Sequence, residues 1–424
     1  MHQTTALTGT ARTSRKQHKG RRAAWLCTFL LACSFQASAQ RVIKVDTIRS
    51  PSYEIFVKRM AAALPDVKVS STMLPVDKLM ESYSIKLSSR SDSLDIMYLN
   101  DGILRQYARN GWLQPLDDLW AKYRKEYNLD DFVVEAVEAM RFEGKLYAIP
   151  VLSNTMRLAY RADLFKEKGI QPPKTFKEYL AAAEALNTPR RAGTVLPMKL
   201  VEGVNTAHWY MNAIGDGWLN DKNKPIFNDA AGVRAVETLK AMSRFAPPGF
   251  IAQGNDESTL NLSQDLAAMG GQWVTRAGTM DNPAKSIVVG KIEWVAPPGG
   301  GQPIFFNGFA MSRFSKADRD TMFRLAATAT DVAGMREAAA TIIPVRQSVL
   351  KDPELTRQFR YYSAIPAALK VGKRMPEVPE FGDVTDLLSR TLQEAVTGQK
   401  PVKAALDDAA VRVDKVFSER GVYK

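Results

Sequence analysis

The stretch from Arg41 to Asn110 constrains the fold more than any other part of this sequence. Arg41-Val42-Ile43-Lys44-Val45-Asp46-Thr47-Ile48 alternates apolar and polar side chains, which is the period of a strand. Ser50-Pro51-Ser52 interrupts it. Tyr53 to Leu64 then carries apolar residues at helical spacing, with Ser52 placed as the N-cap. Val67-Lys68-Val69 predicts a second strand and Val76 to Leu87 a second helix. Leu94 to Leu99 predicts a compact apolar strand and Ile103 to Asn110 a third helix. Strand and helix alternating at this spacing argue for an α/β fold on a parallel sheet. In such sheets ligands bind beyond the carboxyl ends of the strands, where Ser50 to Tyr53 and Asn100-Asp101 fall.

Further along, Gly144 to Val151 and Arg157 to Tyr160 predict two strands, and Lys177 to Leu186 an amphipathic helix. Residues 208 to 275 hold helical segments, with His208-Trp209-Tyr210 as an aromatic cluster. Ala267 to Trp273 reads as a strand, Pro297-Pro298-Gly299-Gly300-Gly301 as a turn, and Asn307 to Met311 as another strand. Arg319 to Ala339 and Val384 to Phe417 are helical in pattern.

The N-terminus adds a compartment. Arg12, Arg15, Lys16, Lys19, Arg21 and Arg22 precede the apolar run Ala23 to Ala32, and Ala37-Ser38-Ala39 follows. A basic region, a short hydrophobic region and small residues are the order of a secretory signal over residues 1–39. The run is far short of the roughly 20 residues a membrane span needs. Leu30-Leu31-Ala32-Cys33 leaves an alternative in which Cys33 is acylated as a lipoprotein anchor, but cleavage after Ala39 and release into the periplasm is the default. Both cysteines (Cys27 and Cys33) and two of the three histidines would leave with the signal, so His208 is then the only histidine. Losing six basic residues takes the formal net charge from +13 to +7, and no dense basic run points to nucleic acid. One histidine and no cysteine exclude a Cys/His zinc site and a cysteine nucleophile. Neither GxxxxGK[ST] nor GxGxxG occurs, so no nucleotide cradle is visible. A binding protein or a carboxylate-based enzyme survives these exclusions, and no cofactor, metal site or catalytic residue is predicted.

Several stretches, in one consistent order, resemble the family 1 extracellular solute-binding proteins of ABC transporters, the group of the maltose/maltodextrin-binding proteins. They are Leu94 to Asp101, Gly111-Trp112-Leu113-Gln114-Pro115-Leu116-Asp117-Asp118, Gly144-Lys145-Leu146-Tyr147-Ala148-Ile149-Pro150, and Leu158 to Phe165. Gly169 to Glu178, Leu266 to Met269 with Trp273, Ile343-Pro344-Val345-Arg346, Met375 to Pro379 and Gly398-Gln399-Lys400 continue it. Asn154 stands where the family often has an acid. The resemblance implies a two-lobed periplasmic binding protein type II fold, each lobe a mixed sheet flanked by helices, with the ligand cleft between lobes. It places the first lobe at 40–150 and 308–346 and the second at 151–307 and 347–424. Hinges are expected at Pro150 to Asn154 and Phe305 to Gly308, with a third crossing near Pro344 to Ser348. The implied function is the substrate-binding receptor of an importer, a monomer that captures a small polar solute, a sugar by preference, for permease subunits in the inner membrane.

A sugar needs convergent donors and acceptors for its hydroxyls and flat apolar surface for its C–H faces. The expected contacts are Ser52, Tyr53, Asn100 and Asp101 from the first lobe, Trp209 and Trp273 from the second, and Asn154, Asn307, Gly308 and Arg346 at the crossings. Core packing explains either tryptophan equally well, a helix cap explains Asn100 and Asp101, and a surface ion pair is the better account of Arg346. If Trp273 is a ligand platform, Trp273→Ala weakens binding without unfolding the protein. Other ligands stay open: a polyamine, a polyol phosphate, or ferric iron through Tyr361-Tyr362. A glycosidase is the rival from another class, although no acid pair stands out.

Overall fold

The structure is a computed structural model and describes residues 41–423; the expected signal segment and both cysteines lie outside the described residues. Strand β1 (Arg41–Ile48) runs parallel to β2 (Val67–Leu74) along its whole length, from Arg41 opposite Val67 to Ile48 opposite Leu74. Between them helix α1 (Pro51–Ala63) buries Tyr53, Phe56, Val57 and Met60, one stripe at helical spacing. Ser52 is not the N-cap. Pro51 takes the first helical position, for which its fixed φ suits it, so the extended residue before it, Ser50, holds the cap and Ser52 enters the first turn. Helix α2 (Val76–Ser88) follows, then β3 (Ile96–Asn100) on the other side of β1 and helix α3 (Asp101–Arg109). Asn100 caps α3 by accepting from the Ile103 N–H at 2.9 Å.

The sheet is mixed. A return strand, Pro303–Met311, lies antiparallel to β3, from Ile96 opposite Met311 to Asn100 opposite Asn307. Its other edge pairs with a 14-residue strand, Ala148–Arg161, which joins the two strands expected at Gly144–Val151 and Arg157–Tyr160. Pro150 is tolerated inside it because the register shifts between Pro150 and Leu152, where a proline costs no ladder bond. Beyond Thr155 this long strand changes partners and pairs with Met269–Trp273 and Ile292–Val295.

Two apolar cores result. One gathers Ile43, Phe56, Ile96, Leu104, Ile149, Phe309 and Phe323. The other gathers Leu158, Tyr179, Trp209, Trp218, Phe227, Leu388 and Phe417, with helices Val201–Ala213, Ala230–Ser243, Phe381–Thr397 and Val402–Glu419 around it. The helical run expected from Val384 to Phe417 is broken at Gly398, which takes φ +79°, a conformation glycine adopts without strain. The run from Arg319 to Ala339 also divides, because Asp331 caps a new helix by accepting from the Gly334 N–H at 2.7 Å. Buried side chains from Val274 to Trp294 and from Leu355 to Ile365 pack with the first core. The long strand and the return strand therefore leave one core as a hydrogen-bonded pair and enter the other. A third segment joins them where Ser153 and Ile343 exchange backbone bonds, at 3.0 and 3.3 Å.

Candidate functional site

At this pair of strands the structure opens a cleft of about 620 Å³. One wall comes from the β1–α1 turn (Arg49 to Tyr53), the end of β2 and Tyr98. The opposite wall comes from Lys199 to Glu202, Asn255 to Glu257 and Thr275 to Lys285. Leu152, Asn154 and Asn307 lie on the strands that pass beneath.

Four of the expected contacts meet here: Ser52, Tyr53, Asn154 and Asn307. Tyr53 is 1 % exposed, its ring edge-on to Tyr98 at 5.0 Å and to Phe309 at 5.8 Å. Burial pushes its phenol well above the ordinary value, with Tyr98 adding to the rise, so it stays a neutral donor. Among the described residues the Tyr53 hydroxyl, Asn154 Oδ1 and Asn307 Oδ1 make no hydrogen bond within 3.5 Å, although the Asn307 side chain lies close enough to the phenol to oppose the rise in its pKa. The amide ends of the two asparagines are held, Asn154 Nδ2 donating to Thr275 Oγ1 and Asn307 Nδ2 to Tyr98 Oη, both at 3.4 Å. Buried polar atoms without partners are costly, and these three border one cleft, where a hydroxyl-bearing guest would satisfy them.

The remaining expected contacts lie elsewhere. Trp209 stacks on Tyr179 at 5.6 Å and donates its indole N–H to the Pro298 carbonyl at 3.0 Å, within the second core. Trp273 is 5 % exposed, with its ring 5.6 Å from Phe305; the cleft is reached by Thr275 and Arg276 just after it. Gly308 sits inside the sheet, where an added Cβ would lie 2.5 Å from Met140 Sδ. Arg346 makes neither a surface ion pair nor a cleft contact. Its buried guanidinium donates to the carbonyls of Thr330, Tyr127 and Asn128 and covers the Phe132 ring. The phenols of Tyr361 and Tyr362 donate to backbone carbonyls near Ala339 in the first core. Among the described residues no cluster of His, Cys, Asp or Glu is arranged to hold a metal ion.

Asp101 sits outside the cleft lining, where it joins two parts of the chain. Its carboxylate stands 3.1 Å from Arg374 Nε and accepts from the Phe306 N–H at 3.4 Å. Along the same face of α3, Arg105 reaches Glu377 at 3.6 Å, Arg109 pairs with Glu380, and Gln106 donates to Asp383 at 2.8 Å. The strap of residues 374–383 is anchored from the second core as well. There His208 Nδ1 accepts from the Trp218 indole at 3.0 Å, which leaves its Nε2 proton for the Lys373 carbonyl at 3.2 Å. Burial lowers the His208 pKa to about 4 and so keeps the ring neutral.

Sequence reasoning missed the opposite wall: Lys199, Glu202, Asn255, Asp256, Arg276 and Lys285. Gly254-Asn255-Asp256-Glu257 carries the signature of a helix start, yet nothing local says that this start faces a cleft.

An α/β chain whose paired strands cross between two cores, with a polar cleft at the crossing, defines a two-lobed binding protein. The sequence profile described as Bacterial extracellular solute-binding protein matches residues 56–360, and the chain belongs to that family. It is a solute-binding receptor of the ABC-transporter type, from a family of extracellular transport receptors rather than enzymes. It is 26 % identical over 309 residues to a probable amino-acid ABC transporter periplasmic-binding protein of Sinorhizobium fredii, covering 70 % of each chain. To the mannitol-binding protein of Pseudomonas aeruginosa it is 23 % identical over 399 residues, covering 85 % of this chain and 88 % of the relative. Among solved structures, an ABC transporter solute-binding protein of Agrobacterium radiobacter K84 in complex with ribitol superposes with a TM-score of 0.82 at 23 % identity. That match covers 89 % of this chain and 99 % of the other. No helix among the described residues is long and apolar enough to cross a membrane.

Proposed function

We propose that this receptor captures a small polyhydroxylated solute, a sugar or a linear polyol, and presents it to an inner-membrane permease. The observation that carries the reading is the set of unpartnered polar atoms on Tyr53, Asn154 and Asn307 around one cleft. A hydroxyl is donor and acceptor at once, so a chain of hydroxyls completes the phenol and both amide oxygens. No tryptophan is among the lining residues, which favours a flexible or small polyol over a stacked oligosaccharide. The mannitol and ribitol ligands of the two relatives support the same class.

In this reading the lobes are residues 40–150 with 308–346, and 151–307 with 347–424, closing about the paired strands, with the buried side chains of 274–294 and 355–365 packing across onto the first core. The ligand touches both walls only in the closed form, so it shifts the population toward closure by its differential affinity. The receptor acts as a periplasmic monomer with its N-terminus near Gln40, and it leaves the solute chemically unchanged.

A thermal-shift screen of mannitol, ribitol, arabinitol, glucose and maltose tests this, followed by small-angle scattering of each hit. A true ligand at 100 times its Kd stabilises by about 2.7 kcal/mol and reduces the radius of gyration. Failure of every sugar and polyol, acidic derivatives included, to stabilise the protein refutes the ligand class. Binding without compaction refutes lobe closure, and recovery of a chemically altered solute refutes the receptor role.

A further inference from the structure

Seven charged side chains line the cleft, and they divide unequally. The three acids are each held in place, one by a cation and two by neutral hydrogen bonds, so four cations face three carboxylates. Asp256 pairs with Arg276, Glu202 accepts from Asn255 Nδ2 at 2.7 Å, and Glu257 accepts from the Gly254 N–H at 2.8 Å. Among the described residues, Arg276 is the one of the four cations with a carboxylate partner. Lys199 and Lys285 make no side-chain hydrogen bond or ion pair among the described residues, and Arg49 reaches only the Met73 carbonyl, at 3.4 Å.

Three helices begin at the same cavity, Pro51–Ala63, Val201–Ala213 and Asn255–Ser263. The N–H groups of a first turn have no partner within the helix, and they form the positive end of its dipole. At the first of these starts the buried Tyr53 adds an unpartnered hydroxyl donor. Closing the lobes would strip water from Lys199 and Lys285. That is unfavourable for a lone ammonium and favourable when an opposite charge arrives with the ligand. A neutral polyol accepts hydrogen bonds from these cations but brings no opposite charge, and a polyamine is repelled by them.

Resting on the reading of this cleft as a sugar or polyol site, we infer that its ligand carries one anionic group, a carboxylate or a phosphate, on a polyhydroxylated chain. The hydroxyls meet Tyr53, Asn154 and Asn307, and the charge meets Lys199, Lys285 and Arg49.

The test is isothermal titration of the mature chain with matched probes: ribitol, ribonate and ribitol 5-phosphate, and the corresponding set built on glucitol. At least one anionic probe is expected to bind about tenfold or more tightly than its neutral partner, which equals about 1.4 kcal/mol. Whether the carboxylate or the phosphate gains more identifies the source of the charge. In about 1 M salt, where the screening length falls to about 3 Å, the advantage shrinks. In the Lys199→Gln/Lys285→Gln double variant, checked for an unchanged Tm, the ratio of affinities falls toward one. Anions that bind no better than the neutral probes overturn the inference while the polyol reading stands. Binding by none of the probes overturns both. An advantage that survives undiminished in the folded double variant overturns the assignment of the charge to these lysines.

Discussion

Replacing Asp101 by Asn asks whether burial or charge pairing sets the carboxylate that ties α3 to the strap at residues 374–383. The group is 3 % exposed, and loss of water raises its pKa to about 6 although Arg374, 3.1 Å away, opposes the rise. Desolvation can exceed the Coulombic gain at a buried carboxylate, and it does so here even with Arg105 also 3.8 Å away. An acid whose folded pKa lies above its unfolded value near 3.9 binds its proton more readily when folded. Its contribution favours the folded state at low pH and is lost as pH rises through the window from about 4 to about 6. The gap of about two units, at about 1.36 kcal/mol each, gives about 2 to 3 kcal/mol.

Asparagine does not titrate. The stability of Asp101→Asn relative to the unaltered protein should therefore rise by about 2 kcal/mol between about pH 4 and about pH 7.5. Urea denaturation followed by circular dichroism at several pH values measures both proteins. The difference between them is needed because His208 acts with the opposite sign in the same window. Its folded pKa of about 4 lies below the unfolded value, so stability is lost as pH falls. Subtraction removes that term, which the two proteins share. A difference that stays flat with pH, or that moves the other way, would mean that Arg374 holds Asp101 ionised throughout and that the reasoning from burial is wrong.

Tyr53→Phe removes a hydroxyl that makes no hydrogen bond within 3.5 Å among the described residues, so denaturation should show stability unchanged or higher by up to about 1 kcal/mol. Titration with whichever solute binds should show an affinity about tenfold weaker. Trp273→Ala should cost about 3 to 5 kcal/mol and lower Tm by many degrees, because the ring is packed on Phe305 and almost wholly buried. A variant that keeps its Tm but loses the ligand would return Trp273 to the binding surface. Leu200 holds φ +48° with ψ −133° just before the helix Val201–Ala213, a region that strains any residue with a Cβ. Leu200→Gly should gain about 1 kcal/mol in thermal unfolding, and a loss of stability would show that Leu200 packing outweighs the strain.

How much of this was legible in the sequence depends on the range over which each signal acts. The alternation of Ile43 and Val45 and the stripe Tyr53, Phe56, Val57 and Met60 are local, and they gave β1 and α1 almost to the residue. The cap moved from Ser52 to Ser50 because a proline at the first helical position outweighed a second good capping residue. The sheet was mixed where the first three strands alone argued for parallel, because the antiparallel return strand comes from 200 residues further along the chain. The same limit applies to the site. Ser52, Tyr53, Asn154 and Asn307 lie at strand ends or on crossing strands, which sequence position betrays. The tryptophans are equally suited to a core or a cleft, and only packing decides between them. Lys199 and Lys285 carry no pattern at all, since an exposed lysine in a loop looks the same whether it faces bulk water or an opposing wall.

The positions of Asn154 and Asn307 suggest how binding and closure are coupled. They stand on the two antiparallel strands that cross between the cores, with Leu152 opposite Asn307 and Asn154 opposite Phe305. Because these strands are hydrogen-bonded to each other, and to Ile343 through Ser153, the crossings cannot rotate independently. The register shift between Pro150 and Leu152 interrupts the ladder beside them, which makes it the natural place to absorb a change in φ and ψ. A solute completing Asn154 Oδ1 and Asn307 Oδ1 would then fix the relative setting of the strands on which closure turns. The strap from Asp101 through Arg374 to His208 spans the two cores independently of those strands, so it resists or favours the same rotation. Weakening it in Asp101→Asn should therefore shift the open–closed balance, and with it the apparent affinity, even though Asp101 does not line the cleft.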